Sequence, residues 1–234
     1  MSYTLPNLAA TLDYARSSLV EIDDFIGASP ISTSSPFSLR ASGAGAGASH
    51  AALIGDNSPG VVELTTGTTS SGEATLTGGY NAGISSTNGS ILRFASGIQT
   101  VFEARVQLDS LATNGVEEFD VYVGLGLASI SYARFRYNVD TSANWTVEND
   151  DTGGSATTTT SGTVVAAGTW YRMRAVVSGV TNVQYYLNDS LVATHTTNLP
   201  GSATPGVSIV KSVGTSAAIL RVDYIAVAQY GLSR

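Results

Sequence analysis

Apolar and polar residues alternate along most of the chain. The stretch 101–108 places Phe102, Ala104 and Val106 in alternation with mostly polar residues, and the stretch 171–177 repeats the pattern. A period of two is typical of a β-strand that buries one face and leaves the other face more polar. The pattern predicts strands near 60–66, 72–77, 90–95, 98–109, 117–127, 131–138, 144–148, 163–166, 170–178, 182–188, 190–196, 206–212 and 217–229.

These strands follow one another with little helical pattern between them. Such a succession predicts an all-β chain folded as an antiparallel β-sandwich. Asn188-Asp189 separates two of the strands and suits a two-residue hairpin turn, because both residue types tolerate a positive φ. We divide the chain into an N-terminal helix or arm at 1–28, an irregular Gly/Ala/Ser-rich segment at 29–59, and the β-sandwich at 60–234.

The N-terminal region has an apolar pattern of a different period. Its apolar residues recur at intervals of three and four, as in a short amphipathic helix, and we expect them to serve attachment or oligomerisation. These residues are Leu5, Leu8, Leu12, Leu19 and Ile22. Two alternatives remain open. The helix could pack on its own domain, or it could end near Ser18 and continue as a strand through Val20, Ile22 and Phe25.

The segment at 29–59 offers few side chains that could form a core. The run 42–48 consists of Ser, Gly and Ala and predicts a loop, or an extended ribbon at a place where larger side chains do not fit. His50 follows this run without an acidic neighbour in the sequence, and we expect it to be a loop residue.

The charge of the chain restricts its partners. The net charge is −7 and Lys211 is the single lysine, so no basic patch is available for nucleic acid or for an anionic membrane. The absence of cysteine excludes disulfides and thiolate metal sites. Only 12% of the residues are charged, which favours a particle component or an extracellular module over a cytosolic enzyme. We expect neither a signal peptide nor a membrane span.

Two strands carry residues that partly match catalytic arrangements. Glu118 and Asp120 resemble the start of the Glu-x-Asp-x-x-Glu catalytic strand of laminarinase-like endoglucanases, but the second glutamate is missing. The resemblance implies that one of the two carboxyl groups used in glycoside hydrolysis is then absent. Tyr132, Arg134 and Arg136 share one face of the next strand and imitate half of a polysaccharide lyase site. Neither histidine has an identifiable partner in the sequence. We therefore expect no enzyme activity and interpret both strands as solvated sheet faces.

A candidate sugar site centres on Trp145. Its indole could stack on a sugar ring, and Asn144, Asn149 and Asp150 could hydrogen-bond to the hydroxyl groups. Burial of Trp145 in the core is the alternative. Asn149, Asp150 and Asp151 form the densest acidic cluster, which could hold calcium but fits an ordinary turn better. We expect no cofactor.

Two segments and the last strand resemble a known fold family. Gly168-Thr169-Trp170-Tyr171 opens a strand, and Tyr185-Tyr186-Leu187-Asn188 leads into the hairpin turn. With the final strand at 219–227, they resemble the second half of concanavalin A-like (laminin G-like) jelly rolls. The resemblance implies that Trp170 is buried and that the final strand pairs with an early one.

A further phrase resembles virion proteins of tailed phages. It runs from Ser58-Pro59-Gly60 through residue 76, and the resemblance extends over about 58–228. It implies a structural protein on the virion surface, in capsid decoration, a head fibre or a tail fibre, made in the host cytoplasm. A homo-oligomer, favoured as a trimer, would attach to other virion proteins through its N-terminal segment, and host-surface glycans would be a further partner. The alternative is a glycan-active enzyme, either a glycoside hydrolase or a polysaccharide lyase, or a lectin of the same fold.

Overall fold

The computed structural model describes residues 18–23, 37–42, 46–50, 60–78, 92–127, 131–151 and 154–232. These residues form an all-β structure, as the alternation predicts. The strands are β1 Ser18–Asp23, β2 Phe37–Ser42, β3 Gly47–His50, β4 Val62–Thr65, β5 Glu73–Gly78, β6 Leu92–Arg93, β7 Gln99–Leu108, β8 Glu118–Leu125, β9 Tyr132–Asn138, β10 Ser142–Asp150, β11 Thr157–Val164, β12 Trp170–Ser178, β13 Asn182–Leu187, β14 Ser190–His195, β15 Ser202–Ala203, β16 Pro205–Val213 and β17 Ile219–Tyr230. Within these ranges, no helix is long and apolar enough to cross a membrane.

Two large antiparallel sheets form the sandwich. The eight-stranded sheet has the order β14-β13-β12-β7-β17-β4-β3, and β1 also pairs with β17. The seven-stranded sheet has the order β11-β10-β9-β8-β16-β5-β2, and β6 pairs with β15 in a small separate ribbon. The long final strand β17 pairs with β7 along one side and with β4 and β1 along the other. The last strand therefore joins early strands, as the resemblance implies.

The core lies between the two sheets and takes one face of every central strand. In β12 the buried residues Tyr171, Met173, Ala175 and Val177 alternate with partly exposed ones, which is the pattern that the sequence predicts. Large side chains from both sheets meet in this layer. Phe135 of the seven-stranded sheet packs edge-on against Tyr185 of the eight-stranded sheet, with ring centroids 5.6 Å apart.

The position of Trp170 differs from the prediction. The resemblance implies that it is buried, but it lies in the partly exposed register of β12, beneath the guanidinium of Arg105 at 4.8 Å from the ring centroid. Its position follows from the alternation, since the next residue, Tyr171, takes the buried register. The hairpin prediction is confirmed, because Asn188 and Asp189 have φ values of 48° and 68° between β13 and β14.

The sandwich begins earlier in the chain than the predicted boundary at residue 60. The strand β1 comes from the predicted arm, while β2 and β3 come from the predicted irregular segment and pair with β5 and β4. His50 ends β3 and so lies in a strand where a loop was predicted. The Gly, Ala and Ser residues of β3 give no apolar alternation, yet its backbone pairs with β4. In β2, Phe37, Leu39 and Ala41 do alternate with polar residues, so the sequence contained a signal for this strand.

We call the apolar residues Leu5, Leu8, Leu12, Leu19 and Ile22 the N-terminal stripe. Leu19 and Ile22 lie in β1, so the helix predicted from the apolar pattern is wrong for these two residues, and the alternative of a strand after about Ser18 is correct there. The free backbone groups of β17 explain the difference, because pairing with them satisfies the hydrogen bonds of β1. Ile22 is 63% exposed. Leu5, Leu8 and Leu12 lie outside the described residues.

Candidate functional site on the seven-stranded sheet

The densest group of charged and aromatic side chains outside the core lies on the outer face of the seven-stranded sheet. Strand β8 contributes Asp120 and Tyr122, which are two residues apart and therefore share a face. Register then places Arg136 of β9 opposite Tyr122, and Glu148 of β10 opposite Arg134. We call this group the arginine–tyrosine face; its members are Asp120, Tyr122, Tyr132, Arg134, Arg136 and Glu148.

A buried ion pair forms the base of the arginine–tyrosine face. Nε of Arg134 donates to Oε1 of Glu148 at 2.7 Å, and their side chains are only 11% and 6% exposed. The guanidinium lies between two rings, 4.3 Å from the centroid of Tyr122 and 3.9 Å from that of Tyr132. Its Nη1 also donates to the backbone carbonyl of Leu127. These contacts occupy Arg134 and hold the two tyrosines apart.

Gly124 makes room for this arrangement. It lies directly opposite Arg134 in the pairing of β8 and β9 and has a φ of 152°. A Cβ at this position would lie 2.6 Å from Cα of Arg134 and 2.8 Å from its Cβ. A larger residue would therefore displace Arg134 from its position against Glu148 and the tyrosines.

Asp120 and Arg136 form the accessible part of the arginine–tyrosine face. Oδ1 of Asp120 accepts three hydrogen bonds, from Nε and Nη2 of Arg136 at 3.2 and 3.1 Å and from Nδ2 of Asn138 at 2.7 Å. Within the described part of the chain, Oδ2 of Asp120 accepts none. One carboxylate oxygen is thus held in place, and the other remains as an acceptor.

Tyr122 and Tyr132 are suited to donate hydrogen bonds. Burial raises the pKa of the Tyr122 hydroxyl, and the charge of Asp120 raises it further. Burial and then Glu148 raise the pKa of the Tyr132 hydroxyl in the same way. Both phenols therefore stay protonated at neutral pH, and neither hydroxyl bonds to another described residue. With Asp120 and Arg136, the face thus offers two O–H donors, two partly exposed aromatic rings, a carboxylate oxygen and a guanidinium that is already paired with carboxylates.

The structure places Trp145 in the core, the alternative that the sequence left open. Its side chain is fully buried, and its ring lies 5.9 Å from that of Tyr137 and 5.6 Å from that of Tyr171. A buried indole offers no face on which a sugar could stack. Asn144 precedes it in β10, where its side chain donates to Oγ of Ser142 at 3.3 Å. Sugar stacking at Trp145 is therefore corrected to a packing role.

The other residues predicted around Trp145 do not converge on one site. Asn149 points between the sheets, where it bonds to His195 and donates to the carbonyls of Thr197 and Asn198. Asp150 is buried on the opposite side of β10, and its Oδ1 accepts from the backbone of Asp151. Consecutive strand residues face opposite ways, so the calcium cluster Asn149, Asp150 and Asp151 does not form a shell. Among the described residues, no group of three or more acidic, histidine or cysteine side chains could hold a metal.

His195 is a buried residue whose partners the sequence did not reveal. Besides Asn149, it bonds through Nε2 to Oγ1 of Thr159 at 2.9 Å. These partners are 46 and 36 residues away along the chain, so no local motif could identify them. The prediction that neither histidine has a partner is therefore wrong for His195.

The strand residues weighed for catalysis do share the outer face. Tyr132, Arg134 and Arg136 lie together, while Tyr137 is buried on the other side of β9, as the alternation predicts. The sequence did not reveal Glu148, which completes the group from β10. Alternation of Thr146 and Glu148 with apolar neighbours would have placed Glu148 on this face, but not opposite Arg134 in particular.

A comparison with protein-family models gives a match over residues 57–223 to the family described as "SO2946-like, C-terminal domain". The chain belongs to this family. The match covers the sandwich from just before β4 into β17 and includes every residue of the arginine–tyrosine face. Among curated proteins, none matches the chain in sequence.

Solved structures share the fold at low sequence identity. Protein SO2946 of Shewanella oneidensis MR-1, a protein of unknown function, is 16% identical with a TM-score of 0.66, over 100% of this chain and 99% of that one. Botulinum neurotoxin type C, whose passage into cells depends on two ganglioside molecules, is 12% identical with a TM-score of 0.57 and is matched over 96% of this chain and 50% of its own. A sialidase is 13% identical with a TM-score of 0.56, over 90% of this chain and 18% of that one. Identities this low show only that the chain shares a jelly-roll-like β-sandwich fold, because a shared fold does not determine an activity.

Proposed function

We propose that this protein is a non-enzymatic glycan-binding protein displayed on the surface of a tailed-phage virion. The binding role rests on one observation about the arginine–tyrosine face. Tyr122 and Tyr132 present protonated hydroxyl groups on partly exposed rings, and Asp120 adds a free carboxylate oxygen. Sugars are bound by such combinations of rings and hydrogen-bonding groups. The ganglioside-dependent neurotoxin and the sialidase support the proposal because proteins of this fold class act at glycans.

The same geometry argues against catalysis. Hydrolysis by two carboxyl groups requires one to donate a proton while the other attacks or activates water. Here Asp120 and Glu148 are both held by guanidinium groups, through Arg136 and Arg134. A lyase would need a tyrosine that loses its proton readily, whereas the pKa of Tyr132 is raised.

The virion role is supported by the sequence phrase at 58–76 and by the low charge of the chain. Attachment would use the N-terminal stripe that includes Leu5, Leu8 and Leu12, and a trimer would multiply weak glycan contacts. Ile22, a further residue of this stripe, lies in β1 and has an exposed apolar side chain.

The binding role is tested with a glycan array that includes host-surface polysaccharides. We expect Tyr132→Ala and Asp120→Ala to abolish binding. Tyr186→Ala is the matched control, because Tyr186 also packs against an arginine, Arg174 at 4.4 Å, but on the other sheet. Loss of binding in the control alone, or in none of the variants, would contradict the proposed site. The absence of turnover is tested with assays for reducing ends and unsaturated products, and we expect neither product from the wild type. A signal that disappears in Asp120→Asn would contradict this expectation.

The virion role needs its own experiment. Antibody labelling of purified particles should find the protein on the capsid or tail, and light scattering should find an oligomer. Removal of residues 1–17 should leave the described strands intact but abolish incorporation into particles. A protein that is absent from particles would refute the virion role and leave the glycan site standing.

A further inference from the structure

The charge of the arginine–tyrosine face is balanced before any ligand arrives. Arg134 pairs with Glu148 at 2.7 Å, and Arg136 pairs with Asp120 at 3.1 Å. Nη1 of Arg136 also lies 3.9 Å from Oε2 of Glu148. An acidic ligand would therefore have to compete with carboxylates of the protein for each guanidinium.

Further carboxylates surround the two pairs. Asp150 is directly opposite Tyr132 in the pairing of β9 and β10, and its charge acts on the Tyr132 hydroxyl. Glu118 precedes Asp120 by two residues on the same face of β8, and both act on the nearby Asp140. The surroundings of the two arginines thus carry a surplus of negative charge, in a chain whose net charge is −7.

The groups that remain free match the hydroxyl groups of an uncharged sugar. Oδ2 of Asp120 can accept a hydrogen bond from a sugar O–H, and a bond to an ionised acceptor is stronger than one between neutral groups. The phenols of Tyr122 and Tyr132 can donate to sugar oxygens. An anionic substituent would instead meet Oδ2 of Asp120 with repulsion of like charges.

We infer that the arginine–tyrosine face selects uncharged glycans, and that Asp120 is the specificity-determining residue that excludes acidic ones. This inference rests on the proposed glycan-binding function. It names the ligand class and gives Asp120 two roles, one as acceptor for a sugar hydroxyl and one as a repulsive charge. A specific site commonly combines an attractive contact with a repulsive one.

The test measures binding of the full chain to pairs of glycans that differ only in charge. Oligogalacturonides with and without methyl esters form such a pair, and sialylated host glycans with the sialic acid carboxylate free or converted to its amide form a second. We expect the uncharged member to bind at least about tenfold more tightly, which corresponds to the repulsion of one nearby charge. We call this difference in affinity between the two members of a pair the gap. Raising the salt concentration should narrow the gap, because screening weakens the repulsion.

Variants then assign the selectivity to Asp120. Asp120→Asn keeps an oxygen for Arg136 and Asn138 but removes the charge, so the gap within each pair should shrink. Asp189→Asn is the matched control. Asp189 also pairs with an arginine, Arg172, but at the turn of the other sheet, and this variant should leave the gap unchanged.

The outcomes separate the inference from the proposed function. Tighter binding of acidic glycans, lost in Arg136→Gln, would overturn the inference while glycan binding stands. An unchanged gap in Asp120→Asn at unchanged thermal stability would overturn the role of Asp120. Binding of neither member of any pair would overturn both the inference and the proposed function.

Discussion

His195 and Asn149 join the two sheets by a hydrogen bond between Nδ1 of the imidazole and Oδ1 of the amide. His195 ends β14 at the edge of the eight-stranded sheet, while Asn149 lies in β10 of the seven-stranded sheet. Nδ2 of Asn149 donates to the carbonyls of Thr197 and Asn198, so its Oδ1 faces the imidazole and Nδ1 carries the proton. The neutral ring can then accept at Nε2 from Thr159.

The first prediction concerns acid stability. Burial lowers the pKa of His195 from its ordinary value of 6.5, so the folded protein resists protonation and the unfolded chain takes up the proton first. The contribution of His195 to stability is complete above about pH 6.5 and declines as the pH falls below that value. We expect urea unfolding at pH 7.5 and 5.5 to show a smaller free energy of unfolding at the lower pH.

Two histidine variants check this assignment. His195→Gln removes the titrating group and should reduce the loss of stability between pH 7.5 and 5.5. His50→Gln changes the other histidine and should leave the loss as in the wild type. An equal loss in His195→Gln would show that other groups cause the pH dependence.

The second prediction concerns the buried pair of Arg134 and Glu148. Removing one partner of a buried pair leaves a charge without compensation, so Glu148→Gln should lower the free energy of unfolding by about 3–5 kcal/mol. Asp223→Asn is the matched control, because Asp223 pairs with Arg105 at the same distance of 2.7 Å but with side chains 44% and 29% exposed. Exposed pairs contribute only about 0–1 kcal/mol.

A double variant distinguishes the charge effect from simple loss of packing. Arg134→Met with Glu148→Leu removes both charges and keeps most of the volume, so it should recover a large part of the stability lost by either single change. Urea unfolding measures the free energy of unfolding of the wild type, Arg134→Met, Glu148→Leu and the double variant. A double variant as unstable as the sum of the singles would contradict a dominant charge term.

Much of the fold follows from alternation in the sequence. The strands β7, β8 and β12 lie close to the predicted ranges because each alternates large apolar residues with polar ones over at least seven positions. The strand β11 was predicted at 163–166 but occupies Thr157–Val164, where a run of threonines gives no apolar alternation. Threonine favours strands, yet only pairing with β10 decides the bounds of such a run.

The site was less predictable than the fold. Alternation places Asp120 and Tyr122 on one face of β8, and Arg134 and Arg136 on one face of β9. It cannot give the register between strands, and a shift of two residues would separate Arg134 from Glu148. Trp145 was the candidate for sugar stacking because aromatic rings are the usual platform for sugars, with burial as the alternative. Its position between Tyr137 and Tyr171 depends on packing across the two sheets.

The third prediction concerns Lys211, the single lysine of the chain. It is only 2% exposed, and its Nζ donates to the carbonyls of Gly67 at 2.8 Å and Ser216 at 2.7 Å, joining two loops at one end of the sandwich. Lys211→Met should destabilise the protein by about 2–3 kcal/mol, because both carbonyls lose a charged donor. Amine-reactive labelling followed by mass spectrometry should modify the Lys211 peptide only in denaturant. Rapid labelling of the native protein would contradict the burial.

The last prediction separates the two tryptophans. Trp145 fills the core between two aromatic rings, and Trp145→Ala should cost about 3–5 kcal/mol of unfolding free energy. Trp170 is partly exposed under Arg105, and Trp170→Ala should cost about 1 kcal/mol, the scale of an exposed cation–π contact. Urea unfolding of the two variants measures this difference.

Fluorescence offers an independent check in the folded protein. Trp145→Phe leaves Trp170 as the single emitter, so emission should shift to longer wavelength and acrylamide should quench it readily. Trp170→Phe leaves Trp145, whose emission should be blue-shifted and protected from the quencher. Sugar binding on the arginine–tyrosine face should survive Trp170→Phe, because Trp170 lies on the other sheet. Ready quenching of Trp145 would mean that its indole reaches solvent and would restore it as a candidate for sugar stacking.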